Sequence, residues 1–84
     1  MAIERWEVGP EHDDELFLRL GTVLKTMGFD LGSQWSGMAG SQDISHWSLT
    51  SREGTLVVEA ETYMGLSVQG SPELVRRVRE SFNA

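Results

Sequence analysis

The chain has 84 residues, a formal net charge of −6 at pH 7, 39% hydrophobic residues and no cysteine. Its length predicts one small domain, 1-84, and its hydrophobic content excludes a disordered chain. The lack of cysteine excludes a disulfide framework and a thiolate ligand or nucleophile. The negative charge disfavours nucleic-acid binding, because phosphate backbones are held chiefly by Lys and Arg.

The sequence also predicts a cytoplasmic protein that does not enter a membrane. Its first eight residues, MAIERWEV, contain charges and a tryptophan where a signal peptide has an apolar run. No continuous apolar segment reaches the roughly 18 residues that a membrane-spanning helix needs.

Residues 3–8 are predicted to form a short first strand. Trp6 and Val8 lie on one face of such a strand, and Arg5 and Glu7 lie on the other. The Gly-Pro pair that follows ends the strand, because proline removes a backbone donor and glycine permits a turn.

Residues 11–27 show the period of an amphipathic helix, with apolar side chains at three- and four-residue spacing. The first turn is acidic, which favours a helix N-terminus. Gly28 is suited to end the helix in a left-handed conformation, whereas Gly21 in its middle costs about 1 kcal/mol relative to Ala. The predicted buried stripe is Leu16, Leu20, Val23, Leu24 and Met27, widened by Phe17.

Residues 29–32 are predicted to form a connector and residues 33–39 a weaker strand. The three tryptophans, Trp6, Trp35 and Trp47, are all expected in the core, because each falls at a plausible inward position. The segment 37–40 has the GxxG spacing with which KH domains clamp nucleic acid, but it lies among strand-like residues and carries no Lys or Arg. A bulge or loop is therefore expected there.

The stretch 44–70 alternates apolar and polar residues, which is typical of strands with one buried face. A hairpin is predicted at Arg52-Glu53-Gly54, where Gly54 supplies positive φ. Met64-Gly65 is either a second turn or a bend in one long strand. The bent strand is preferred, because it needs no special turn.

Residues 71–82 have the sequence of a capped helix, with Ser71 as N-cap and Pro72 at the first helical position. Its predicted buried stripe is Leu74, Val75, Val78 and Phe82. The succession of elements predicts an α+β fold. In this fold, an antiparallel sheet of about four strands carries two amphipathic helices packed on one face, in the order β-α-β-β-β-α.

From its first helix onward, this order resembles that of double-stranded-RNA-binding domains, and the last helix carries Arg76, Arg77 and Arg79. Those domains place a lysine-rich motif at the start of their second helix, where this chain has Ser71-Pro72-Glu73. The resemblance is one of topology alone, which implies no nucleic-acid function.

The face of the sheet away from the helices is predicted to be the partner-binding surface. It combines apolar side chains with an acidic surround, which is typical of a recognition surface. An ordinary solvated face is the alternative. The predicted contact residues are Ile44, His46, Val57, Glu59, Glu61 and Tyr63.

His46, Glu59 and Glu61 also have the residue types of a metal site or an acid–base pair. No HExxH or comparable spacing accompanies them, and no serine lies in a nucleophile elbow. We therefore expect no metal, no cofactor and no enzymatic activity.

These observations predict a non-catalytic protein-binding module. Its most concrete form is a small acidic inhibitor or immunity-type protein that binds a basic protein partner, which the negative charge would steer towards it. The first alternative is a homo-oligomeric adaptor or assembly subunit, in which a homodimer covers spare apolar surface. The second alternative is a small-ligand-binding domain.

Overall fold

A computed structural model describes residues 2–10, 13–39, 42–62 and 65–84, and it describes only the backbone of residues 38, 39 and 42. The elements follow one another as strand, helix, four strands and helix. They are β1 (Glu4–Gly9), α1 (Asp14–Thr26), β2 (Asp30–Ala39), β3 (Gln42–Ser51), β4 (Gly54–Glu61), β5 (Gly65–Gly70) and α2 (Pro72–Phe82).

The described strands form a single antiparallel sheet in the order β1-β5-β4-β3-β2. The predicted α+β fold is confirmed, with one strand more than the four expected. Strands β2 to β5 form a meander, in which each strand pairs with the next one along the chain. The first strand instead joins the last, so β1 and β2 occupy the two outer edges although only α1 separates them in sequence.

The chain turns between β4 and β5, so the preference for one long bent strand is wrong. Glu61 pairs with Gly65 across the ladder, and three residues connect them. Gly65 has φ +81°, a conformation that favours glycine, and this permits the tight reversal. The prediction for Met64 lies outside the described residues.

Helix α1 runs from Asp14 to Thr26, whereas the sequence predicts residues 11–27, of which 11 and 12 lie outside the described residues. The Asp13 side chain accepts a hydrogen bond from the Leu16 backbone N–H at 3.1 Å and so caps the first turn. At the other end Gly28 has φ +90°, and the N–H of Phe29 reaches the Leu24 carbonyl at 3.0 Å. These contacts form a Schellman motif, which directs the buried Phe29 back into the core.

Helix α2 is capped by Ser71, whose Oγ accepts from the Leu74 N–H at 3.3 Å. Its exposed side is tied to the β3–β4 hairpin, since Arg77 Nη1 lies 2.6 Å from Glu53 Oε1. The hydrogen bond and charge of Glu53 raise the pKa of the Arg77 guanidinium above its ordinary value. Neither helix in the described part of the chain has the length and apolar composition needed to cross a membrane.

Both helices lie on one face of the sheet and enclose the hydrophobic core. The pairing Leu49↔Leu56, Trp47↔Val58 and Val58↔Val68 places these side chains on that face, as the alternation predicts. Trp6 packs edge-on against Phe82, with ring centroids 5.3 Å apart. The buried core consists of Leu20, Leu24, Phe29, Leu56, Val58, Leu66, Val68, Leu74, Val75, Val78 and Phe82.

Strand β2 is longer than predicted and turns Trp35 to the other face. It begins at Asp30, so the expected connector is largely strand. Leu31 pairs with the helix-facing Leu49, but the register shifts between Leu31 and Ser33. This bulge at Gly32 reverses the alternation, because one extra residue exchanges the two faces of every later position. The expectation that Trp35 faces the core is therefore wrong. Of the segment 37–40, where a bulge or loop is expected, residues 37–39 are regular strand and residue 40 lies outside the described residues.

Candidate functional site

The helix-free face of the sheet carries a straight row of five residues, one from each strand. The registers align Trp35 of β2 with His46 of β3, His46 with Glu59 of β4, Glu59 with Ser67 of β5, and Ser67 with Glu7 of β1. Neighbouring strands lie about 4.8 Å apart, so adjacent members of the row are in reach of one another. We call these five residues the central row.

Glu59 is the buried centre of this row. Only 8% of its surface is exposed, although neither α1 nor α2 covers this face. Its Oε2 accepts a hydrogen bond from Gln69 Nε2 and lies 3.5 Å from Arg5 Nη1, while its Oε1 lies 2.9 Å from His46 Nε2. Glu59 is thus held by three side chains from three other strands, which offset the cost of burying its charge.

Glu61 brings a second carboxylate to the same place. It lies two residues after Glu59 on β4, and therefore on the same face, where it pairs with Ile44. One ligand atom each from His46, Glu59 and Glu61 can be chosen such that all three lie within 4.8 Å of one another. The structure thus brings together the three residues that the sequence had suggested as a metal or acid–base group.

Trp35 is the large apolar residue of the central row. It is 56% exposed and packs edge-on against the His46 ring, with centroids 5.5 Å apart. An exposed tryptophan in a polar surround is the kind of side chain that dominates binding energy at protein interfaces. Alternation alone missed it, because the bulge at Gly32 cannot be recognised from the sequence around it.

Five of the six predicted contact residues share the helix-free face, as expected from their alternation: Ile44, His46, Val57, Glu59 and Glu61. Tyr63, the sixth, lies outside the described residues. The structure adds Arg5 and Gln69, which come from the two ends of the chain. The β1 alternation places Arg5 on the correct face, but no local signal shows that β1 pairs with β5. A role of the six residues in partner binding stays a prediction.

The helix face has a different feature, an apolar groove between α1 and strands β2, β3 and β4. Phe17 packs against Trp47 at the side of this groove, with the two rings tilted and their centroids 5.1 Å apart, and Leu31 of β2 is largely exposed at its rim. The groove has a volume of about 120 Å³. Small-molecule sites usually measure about 300–1,000 Å³, so the groove does not favour the ligand-binding alternative.

Comparisons of the chain with protein-family models, with curated proteins and with solved structures found no match, so the geometry of the two faces is the basis for any functional conclusion.

Proposed function

We propose that the protein is a non-catalytic protein-binding module that recognises a basic protein through its helix-free sheet face, in the manner of an acidic inhibitor or immunity-type protein. The observation that carries this function is the exposed Trp35 on this face, beside His46. Trp35 supplies a large apolar anchor, and the surrounding polar groups supply specificity.

Charge favours a basic partner. The chain has a net charge of −6, and the described strand acids on this face are Glu7, Asp30, Glu59 and Glu61 against the single cation Arg5. Arg5 is already engaged with Glu59, so Glu61 is the acid best placed to meet a cation of the partner. Complementary charge accelerates association, and this effect weakens as salt rises.

Affinity capture with defined bait variants tests this function. Tagged wild-type protein, Trp35→Ser, Glu61→Gln and the control Glu73→Gln are incubated with native lysate at low and high salt. Glu73 has the same charge as Glu61 but is exposed on α2. We expect a basic protein that is captured at low salt, reduced by the first two variants and retained by the control. A partner that both face variants retain would exclude this surface.

Strand β2 favours a second candidate, a homo-oligomer that extends the sheet. It is an outer strand of ten residues, and the sequence contains no charged residue between Asp30 and Asp43. Outer strands are usually protected by charges or prolines, and an unprotected one is a template for pairing with another strand. Leu31 and Trp35 also leave apolar surface exposed along it.

Sedimentation velocity over a wide concentration range tests this second candidate. Wild-type protein is compared with Gln34→Lys, which places a charge in the middle of β2. A dimer that the lysine dissociates would support pairing through this edge. A monomer at every concentration would exclude it.

A further inference from the structure

We infer that His46, Glu59 and Glu61 form a binding site for a divalent transition-metal cation, with Zn²⁺ as the best fit. Each residue offers one ligand atom, and these atoms lie within 4.8 Å of one another on the helix-free face. The site uses residues of only two strands, β3 and β4, whose register fixes their relative positions. The site shares Glu61 with the proposed partner-binding surface, and its binding of Zn²⁺ is measured without a partner present.

The distance between the ligand atoms of His46 and Glu59 matches the distance expected between two ligands of one metal ion. His46 Nε2 and Glu59 Oε1 are 2.9 Å apart. Two ligands at about 2.1 Å from a metal, with an angle between 90° and the tetrahedral value, lie about 3.0–3.4 Å from each other. A cation can therefore take a position between these two atoms with a small side-chain adjustment, with the imidazole binding it through Nε2.

Glu59 is oriented as metal-binding carboxylates are. Its Oε2 is occupied by Arg5 and Gln69, which leaves Oε1 directed towards His46. Hydrogen bonds of this kind to the second oxygen fix the position of a ligand and are a regular part of metal sites. A carboxylate serving only in a surface ion pair has no need of such burial.

Ser67 supplies a separate observation that points to a missing group. It is the neighbour of Glu59 in the central row, it is completely buried, and its Oγ has no hydrogen-bond partner among the described residues. Buried hydroxyl groups are almost always paired, and an ion or an ordered water is one of the groups that can satisfy an unpaired one. On β5, this unpaired group belongs to the cross-strand neighbour of Glu59, which we assign as a ligand.

The ligand types favour zinc over the alkaline-earth cations. One imidazole nitrogen and two carboxylate oxygens suit Zn²⁺, whereas Mg²⁺ and Ca²⁺ prefer sites made entirely of oxygen. Three protein ligands leave at least one position for water, and the half-exposed His46 side chain leaves the site open to solvent. The local charge is also negative before a cation binds, because Glu59 and Glu61 provide two carboxylates and Arg5 provides a single positive charge.

Calorimetric titration of the chelator-treated full chain with ZnCl₂ tests the site. We expect one Zn²⁺ per chain and no heat of binding with MgCl₂ at the same concentrations. Glu61→Gln and His46→Asn should each weaken Zn²⁺ binding at least about tenfold, because each removes a ligand. The control Glu7→Gln removes the same charge from the same face, two strands away from Glu59, and should leave the affinity within about twofold of wild type.

Nuclear magnetic resonance of the three tryptophan indole N–H groups locates the ion in the wild-type protein without any variant. Trp35 contacts His46 on the helix-free face, whereas Trp6 and Trp47 lie on the helix face. Zn²⁺ should shift the Trp35 signal and leave the other two unchanged. The site is overturned if Zn²⁺ gives no heat of binding, if both ligand variants bind like wild type, or if the Trp35 signal does not move.

Discussion

His46 and Glu59 face each other across the β3–β4 pair, and the 2.9 Å contact between Nε2 and Oε1 lies at the centre of the helix-free face. Glu59 is held from its other side by Arg5 and Gln69, so one carboxylate links β1, β3, β4 and β5. The face predicted as a partner-binding surface with an acidic surround thus contains a buried polar network. This network distinguishes Glu59 from the other acids of the chain.

Glu59→Ala should lower the free energy of unfolding by about 1–3 kcal/mol. The substitution removes the carboxylate that accepts hydrogen bonds from Gln69 and Arg5, and it leaves these partly buried donors without an acceptor. Urea denaturation followed by circular dichroism measures the change. Glu7→Ala, an exposed acid in the same row, should stay within about 0.5 kcal/mol of wild type. Equal stability of the two variants would show that the network contributes nothing.

Two glycines of the α1 region should respond to alanine in opposite directions. Gly21 lies within the helix, where an added Cβ meets no atom within 4 Å, so Gly21→Ala should stabilise the protein by about 1 kcal/mol. Gly28 also has space around it, but its φ is +90°, so Gly28→Ala should destabilise by about 1 kcal/mol. Thermal denaturation of both variants measures the difference. A stable Gly28→Ala protein would contradict the Schellman motif.

Two serines should also differ in how substitution by alanine changes the stability of the protein. Ser67→Ala removes a buried hydroxyl that has no partner among the described residues, so stability should be unchanged or higher by up to about 1 kcal/mol. Ser71→Ala removes the N-cap of α2 and should cost about 1 kcal/mol. Chemical denaturation of the metal-free protein compares them. A clear loss of stability in Ser67→Ala would show that its hydroxyl has a structural partner.

Fluorescence quenching should distinguish Trp35 from the other tryptophans. Trp35 is largely exposed, whereas Trp6 and Trp47 pack against the helices. Acrylamide should therefore quench one strongly accessible component, and Trp35→Phe should remove it while leaving the fold intact. Trp47→Phe is the control and should retain the accessible component. Strong quenching that survives in Trp35→Phe would contradict the position of Trp35 on the helix-free face.

The sequence predicts most of the fold because its strongest signals are local. Alternation correctly divides β3 and β4 into two faces, and Ser71 and Gly28 correctly mark helix ends. The turn before Gly65 could not be predicted, because a glycine at that point is compatible with both a bent strand and a chain reversal. Only the pairing of Glu61 with Gly65 in the structure distinguishes the reversal from the bend.

The candidate site was only partly predictable because it depends on contacts between distant segments. His46, Glu59 and Glu61 follow from two strands joined by a hairpin. Arg5 and Gln69 reach Glu59 only because β1 pairs with β5. The sequence of neither strand by itself indicates this pairing. Trp35 was missed because a single extra residue at Gly32 moves it from one face to the other.

The position of β1 has a consequence for how the protein folds. The pairs from β2 to β5 are hairpins between consecutive strands, whereas β1 meets β5 from the opposite end of the chain. Closing so long a loop is slow, so β1 should dock after the meander has formed. The backbone amides of β1 should then exchange with deuterium through an opening of lower free energy than the amides of β4. The ion pair between Arg5 and Glu59 should form late in folding.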